Sequence, residues 1–136
     1  MPQKILIVDD DPDLRHSIRC ALESLCEVVE AGNGADALAL IRSDRPRAML
    51  LDISMPEMGG LAVLRAAREI QPALAVIMLT GELDLEIARE ALENGARSYV
   101  TKPFEIETLR SEVKRLLEPG GGKEEGEARP WRIAGE

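Results

Sequence analysis

The stretch AMLLDI, Ala48–Ile53, is apolar throughout except for Asp52. A short, nearly continuous apolar run reads as a strand covered on both faces, since a strand with one wet face alternates apolar with polar residues. Met55-Pro56 breaks the run. Asp52 therefore closes a buried strand at its carboxyl end, which is where open parallel sheets bind their ligands.

Outward from this stretch, similar runs alternate with helical patterns. Toward the amino terminus, Ile5–Val8 ends in Asp9-Asp10-Asp11, and Leu14, Ile18, Ala21, Leu22 and Leu25 then recur at helical spacing. Asp11-Pro12 reads as an N-cap with proline at the first helical position. Val28–Val29 is a short strand, and Gly32-Asn33-Gly34 is a turn. Ala37, Leu38 and Ile41 mark a second helix that stops before Pro46.

Toward the carboxyl terminus, Gly59-Gly60 leads into a third helix with Leu61, Leu64 and Ala67 inward. Ala75–Leu79 is a fourth strand, ending at Thr80-Gly81. Ile87, Ala88, Ala91 and Leu92 form a helical face, closed by Gly95 as a left-handed cap. Ser98–Thr101 is a fifth strand, followed by Lys102-Pro103 and a stripe of Ile106, Leu109, Val113, Leu116 and Leu117. Five β-α units in register predict a doubly wound α/β fold: a five-stranded parallel sheet with helices on both faces. Residues 1–118 form the expected domain. Pro119-Gly120-Gly121-Gly122 cannot continue a helix, so 119–136 reads as a flexible tail or linker remnant, with Trp131 and Ile133 its only large apolar side chains.

Composition narrows the function. The 136 residues fit one domain, and 45% are hydrophobic but only 2% aromatic, so aliphatic side chains must build the core. The net charge of −8 argues against a nucleic-acid surface or an anionic membrane surface. Cys20 and Cys26 lie in no metal-ligand spacing, and both are expected as small buried hydrophobes. His16 is expected as an exposed or capping-region histidine. No signal peptide or membrane span is read, which makes the cytoplasm the expected location.

The strand ends carry complementary groups: Asp9, Asp10 and Asp11 on the first, Asp52 on the third, Thr80 on the fourth and Lys102 on the fifth. Clustered carboxylates repel one another, and a hard dication relieves that repulsion. A carboxylate can act as a nucleophile toward phosphorus, with Mg²⁺ and a lysine holding the charge. Each group also has an ordinary explanation, as a helix-capping acid, a loop acid, a turn hydroxyl or a solvated lysine. Their convergence on one sheet edge favours the chemical one.

Four blocks carry a resemblance: ILIVDDDP (5–12), LLDISMPEMGG (50–60), VIMLTGE (76–82) and SYVTKPF (98–104). In content and order they resemble the response-regulator receiver family, over roughly residues 4–118. The resemblance implies a flavodoxin-like strand order 2-1-3-4-5 with five helices. It implies that Asp52 accepts a phosphoryl group from a sensor histidine kinase or phosphotransfer protein in a Mg²⁺-dependent reaction. The expected metal ligands are Asp10, Asp52 and the backbone carbonyl of Ser54, with Asp9 acting through water. Lys102 pairs with the phosphate, Thr80 is the switch hydroxyl, Tyr99 the aromatic switch, and the Lys102–Pro103 bond is expected to be cis. The chain would then be no turnover enzyme, although it catalyses its own phosphoryl transfer and slow dephosphorylation. Its output partner stays open, as does a homodimer on phosphorylation, and so does the choice between a stand-alone receiver and a piece of a larger regulator. Gly59 stands where the family often has Asp in MPxMDG, and Gly81 replaces a frequent small alanine. Two rivals remain: a haloacid-dehalogenase-type phosphatase using Asp9-x-Asp11, which Pro12-Asp13 fits poorly, and an unphosphorylated scaffold of the same fold.

Overall fold

The computed structural model describes residues 3–53, 59–81 and 85–117, together with 132–133. The elements run β1 Lys4–Val8, α1 Pro12–Leu22, β2 Glu27–Ala31, α2 Gly34–Asp44, β3 Ala48–Asp52, α3 Gly60–Ile70, β4 Ala75–Gly81, α4 Leu85–Glu93, β5 Ser98–Lys102, α5 Ile106–Leu117 and β6 Arg132–Ile133. The sheet order is β2-β1-β3-β4-β5-β6, with every neighbouring pair parallel. The expected five strands and their order are present. One short strand, β6, is added beside β5 from the segment read as a tail.

The apolar runs conceal a period of two that the structure resolves into two cores. Leu6, Val8, Met49, Leu51, Val76 and Met78 face one side, where they meet Ala37 and Ile41 of α2, Val63 and Leu64 of α3, and Ala91 of α4. Ile5, Ile7, Leu50, Ile77 and Leu79 face the other, against Ile18 and Leu22 of α1 and Leu109, Val113 and Leu116 of α5. Helices on both faces explain why the strands need no polar alternation. None of the described helices is long and apolar enough to cross a membrane.

Local signals set the element ends. Asp11 caps α1, its side chain accepting from the N–H groups of Asp13 and Leu14, with Pro12 opening the helix. Asn33 caps α2 by accepting from the Asp36 N–H. Gly95 takes φ +107 after α4, a left-handed conformation, and a Cβ there would lie 2.8 Å from Arg68 Nε. Arg45 ends α2 at φ 49, a left-handed position that no glycine announced.

The cysteines divide. Cys26 is buried as expected, whereas Cys20 is exposed and the sequence expectation is corrected there. Cys20 lies on the outer face of α1 one turn from His16, also exposed, with Sγ 3.6 Å from the imidazole Nε2. Burial pushes the Cys26 thiol up to about 11. The folded chain thus holds this proton more tightly than the unfolded chain, so its contribution to stability is full below the ordinary thiol range and is lost as the pH climbs toward that value. At pH 8 a maleimide should modify Cys20 readily and Cys26 only after unfolding. Peptide mapping that finds equal rates would contradict this assignment.

Candidate functional site

The carboxyl ends of β1, β3, β4 and β5 meet at one rim, because parallel register brings them level. Asp52 lies opposite Leu79, Thr80 opposite Thr101, and Gly81 opposite Lys102. Three acids converge there: carboxylate oxygens of Asp9, Asp10 and Asp52 all lie within 4.8 Å of one another. Asp9 and Asp52 are 1% and 4% exposed, whereas Asp10 faces solvent. The site is thus open on one side, lined by two carboxylates that water reaches poorly.

Lys102 crosses to these acids from the far side of the rim. Its Nζ donates to Asp9 Oδ2 at 3.0 Å and stands 3.5 Å from Asp52 Oδ1. Burial by itself would lower the lysine's pKa, but the hydrogen bond to Asp9 and the charges of Asp52 and Asp9 outweigh it and hold the ammonium above its ordinary value. The Lys102–Pro103 peptide bond is cis. Thr80 is fully buried one residue past Leu79, the register partner of Asp52, its hydroxyl donating to the Gly81 carbonyl at 3.2 Å. Tyr99 is half-buried at the border of the α2–α3–α4 core. Ser54, expected to offer its backbone carbonyl, falls outside the described residues.

Asp11 stays out of the acid cluster. Its carboxylate is spent on the cap of α1, and its own N–H donates to Asp9 Oδ1 at 2.9 Å. A dehalogenase-type phosphatase would need that acid free as a proton donor, so the geometry disfavours this rival.

Two supporting residues escape a strand-by-strand reading. Arg15 of α1 donates through Nη1 to the Asp9 carbonyl at 2.6 Å and through Nε to Glu30 of β2 at 3.1 Å. Arg19 donates to the other Glu30 oxygen at 2.6 Å. Burial alone would raise the Glu30 carboxyl, but the two guanidiniums more than offset it and hold it below the usual carboxylate range. Arg15 thereby ties the loop that carries the acids to β2, with Arg19 holding Glu30 in place. Gly60, at the start of α3, packs against the backbone of Asp52: a Cβ there would lie 2.7 Å from the Asp52 carbonyl oxygen and 2.6 Å from Ile53 Cα. Arg15 was visible only as one charged residue on a helix, and Gly60 only as half of a glycine pair. Neither signal specifies a tertiary partner.

An all-oxygen set of three carboxylates suits a hard dication such as Mg²⁺, which favours a few carboxylates and keeps waters for other ligands. The groups present fit that ion, with Asp10 offering the accessible oxygen.

Known proteins agree with this geometry. The family profile of the response regulator receiver domain matches residues 5–114. The response regulator MprA of Mycolicibacterium vanbaalenii is 41% identical over 118 residues, covering 86% of this chain and 51% of the relative. The chain thus spans about half the length of the curated relatives it matches. Among solved structures, the receiver domain of NtrX from Brucella abortus superposes with a TM-score of 0.79 at 34% identity, covering 83% of this chain and 97% of that one. The BeF3-activated receiver domain of DrrB, a Thermotoga maritima protein, gives 0.78 at 36% identity, covering 88% of this chain and all of that one (100%). With the doubly wound fold, the acid cluster and the crossing lysine in place, the chain belongs to the receiver domains of two-component response regulators.

Proposed function

We propose that Asp52 is the phosphoacceptor of this receiver and that Asp9, Asp10 and Lys102 equip it for the transfer. The observation that carries the reading is the meeting of three carboxylates with one lysine at the rim of the sheet, around an otherwise buried Asp52. Asp10 and Asp52 would hold Mg²⁺ directly and Asp9 through water, with the Ser54 carbonyl as a further ligand. When bound, the ion neutralises charge on the oxygens of the phosphoryl group in transfer.

The remaining steps belong to the chain. A carboxylate oxygen of Asp52 attacks the phosphorus of a kinase or phosphotransfer-protein phosphohistidine. The new O–P bond forms as the N–P bond breaks, and the imidazole leaves with the bonding pair. Lys102 turns its ammonium from the carboxylates toward the phosphoryl oxygens. Thr80 exchanges its weak bond to the Gly81 carbonyl for one to the phosphoryl group, and Tyr99 fills the space released. This biases two arrangements of the surface formed by α4, β5 and α5, which an output partner or a second copy reads. Attack of water on the acyl phosphate resets the site slowly, so the domain signals rather than turns over a substrate. A cytoplasmic location is part of this reading, and the acidic charge leaves nucleic acid to other modules.

Acetyl phosphate with Mg²⁺ should add one hydroxylamine-sensitive phosphoryl group by intact-mass spectrometry, and chelation of the metal should abolish it. Failure to phosphorylate with excess donor and Mg²⁺ would overturn the proposal. Lys102→Ala should still bind Mg²⁺ but accept phosphate on the order of 100-fold more slowly. In that variant the amide signals of Thr80 and Tyr99 should no longer respond to phosphorylation.

A further inference from the structure

Without β6, β5 would be the outer strand of the sheet and would present a row of unpaired backbone N–H and C=O groups. Arg132–Ile133 occupies that edge in parallel, with Arg132 opposite Ser98 and Ile133 opposite Tyr99. Beyond the pair, toward the carboxyl end of β5, lies a cavity of about 370 Å³ bordered by Tyr99, Thr101, Phe104 and Thr108. The edge and the cavity together form a surface suited to an extended peptide: main-chain bonds along β5, then a recess for a side chain.

We propose that the β5 edge is a strand-docking surface and that residues 132–133 of the same chain are its resident occupant. Two arguments favour this occupant over a second copy. The segment is already in register on the edge, and residues 118–131 tether it to the end of α5, so docking is intramolecular and needs only a weak contact to be populated. A strand of two residues supplies one or two net backbone hydrogen bonds, each modest in water. The occupant therefore guards the edge without locking it, and a partner that adds its own strand to β5 must displace it. The segment shares its pairing residue, Tyr99, with the surface assigned above to output, but its docking stands apart from the phosphoacceptor reading.

Trp131 is the single tryptophan of the chain and directly precedes Arg132 in the sequence, so its fluorescence is the probe of docking. The full chain is compared with an Arg132→Pro/Ile133→Pro variant, which removes whichever N–H faces β5. Removing one such bond predicts amide exchange at Ser98–Val100 roughly two- to tenfold faster in the variant. Trp131 anisotropy should fall and acrylamide quenching should rise, while the melting temperature of the domain stays unchanged. In the unsubstituted chain the Trp131 signal should not depend on protein concentration. Identical exchange and quenching in the two proteins would overturn the proposal. So would a Trp131 signal that rises with concentration, because the segment would then dock on a second copy.

Discussion

Asp52→Asn is expected to lower phosphoryl uptake from acetyl phosphate by at least about a hundredfold, with the fold intact. Asparagine has nearly the same shape, and at the end of β3 it keeps the backbone register with Leu79. What disappears is the oxygen proposed to attack phosphorus, and one of the three carboxylates gathered there. The same variant should lose much of the thermal stabilisation by Mg²⁺, which at a hundred times Kd amounts to about 2.7 kcal/mol for any ligand specific to the native state. Intact-mass spectrometry and a melting series with and without Mg²⁺ read both effects. Undiminished hydroxylamine-sensitive labelling of the variant would remove Asp52 from the acceptor role. A label retained only on another acid would move that role to a neighbour.

The second large effect lies where no chemistry occurs. Gly60→Ala should destabilise the domain by about 1–3 kcal/mol and weaken Mg²⁺ binding together. The added methyl would meet the backbone of Asp52 and Ile53 at 2.7 and 2.6 Å, and backbone cannot swing away as a flexible side chain could. Relief must shift either α3 or the end of β3 that presents Asp52. The adjoining glycine provides the control. A Cβ on Gly59 meets nothing within 4 Å, and the residue sits at the N-cap of α3 without a side-chain cap. Gly59→Asp should therefore be tolerated and add a few tenths of a kcal/mol, since a carboxylate there can accept from the first helical N–H groups. Chemical denaturation distinguishes the two sites, and equal costs at both would refute the close-approach argument.

The contrast between these glycines shows what the sequence made legible. Strand ends could be read because a lone Asp52, Thr80 or Lys102 stands out against an apolar run, and parallel topology then aligns those ends. The capping role of Asp11 could be read because its proline neighbour fixes the helix start. The role of Gly60 could not, because a glycine pair before a helix looks the same whether a methyl group would meet solvent or a strand. The Arg15–Glu30 tie joins residues on different elements, and helix periodicity shows only that an arginine is off the apolar stripe. Cys20 was misplaced because cysteine is commonly buried, and one α1 residue beyond the Ile18–Leu22 face decides its exposure. The left-handed turn at Arg45 and the β6 pairing were invisible for a similar reason: both depend on what the backbone meets in space.

The side-chain inventory of the rim has an ionic consequence. Among the described residues, three carboxylates gather around the ammonium of Lys102, so acidic groups outnumber the lysine in this group. A divalent ion would offset more of the carboxylate charge than one sodium or potassium ion could. Valence, as much as size, would therefore decide between ions here, and monovalent salt should compete with a dication only weakly.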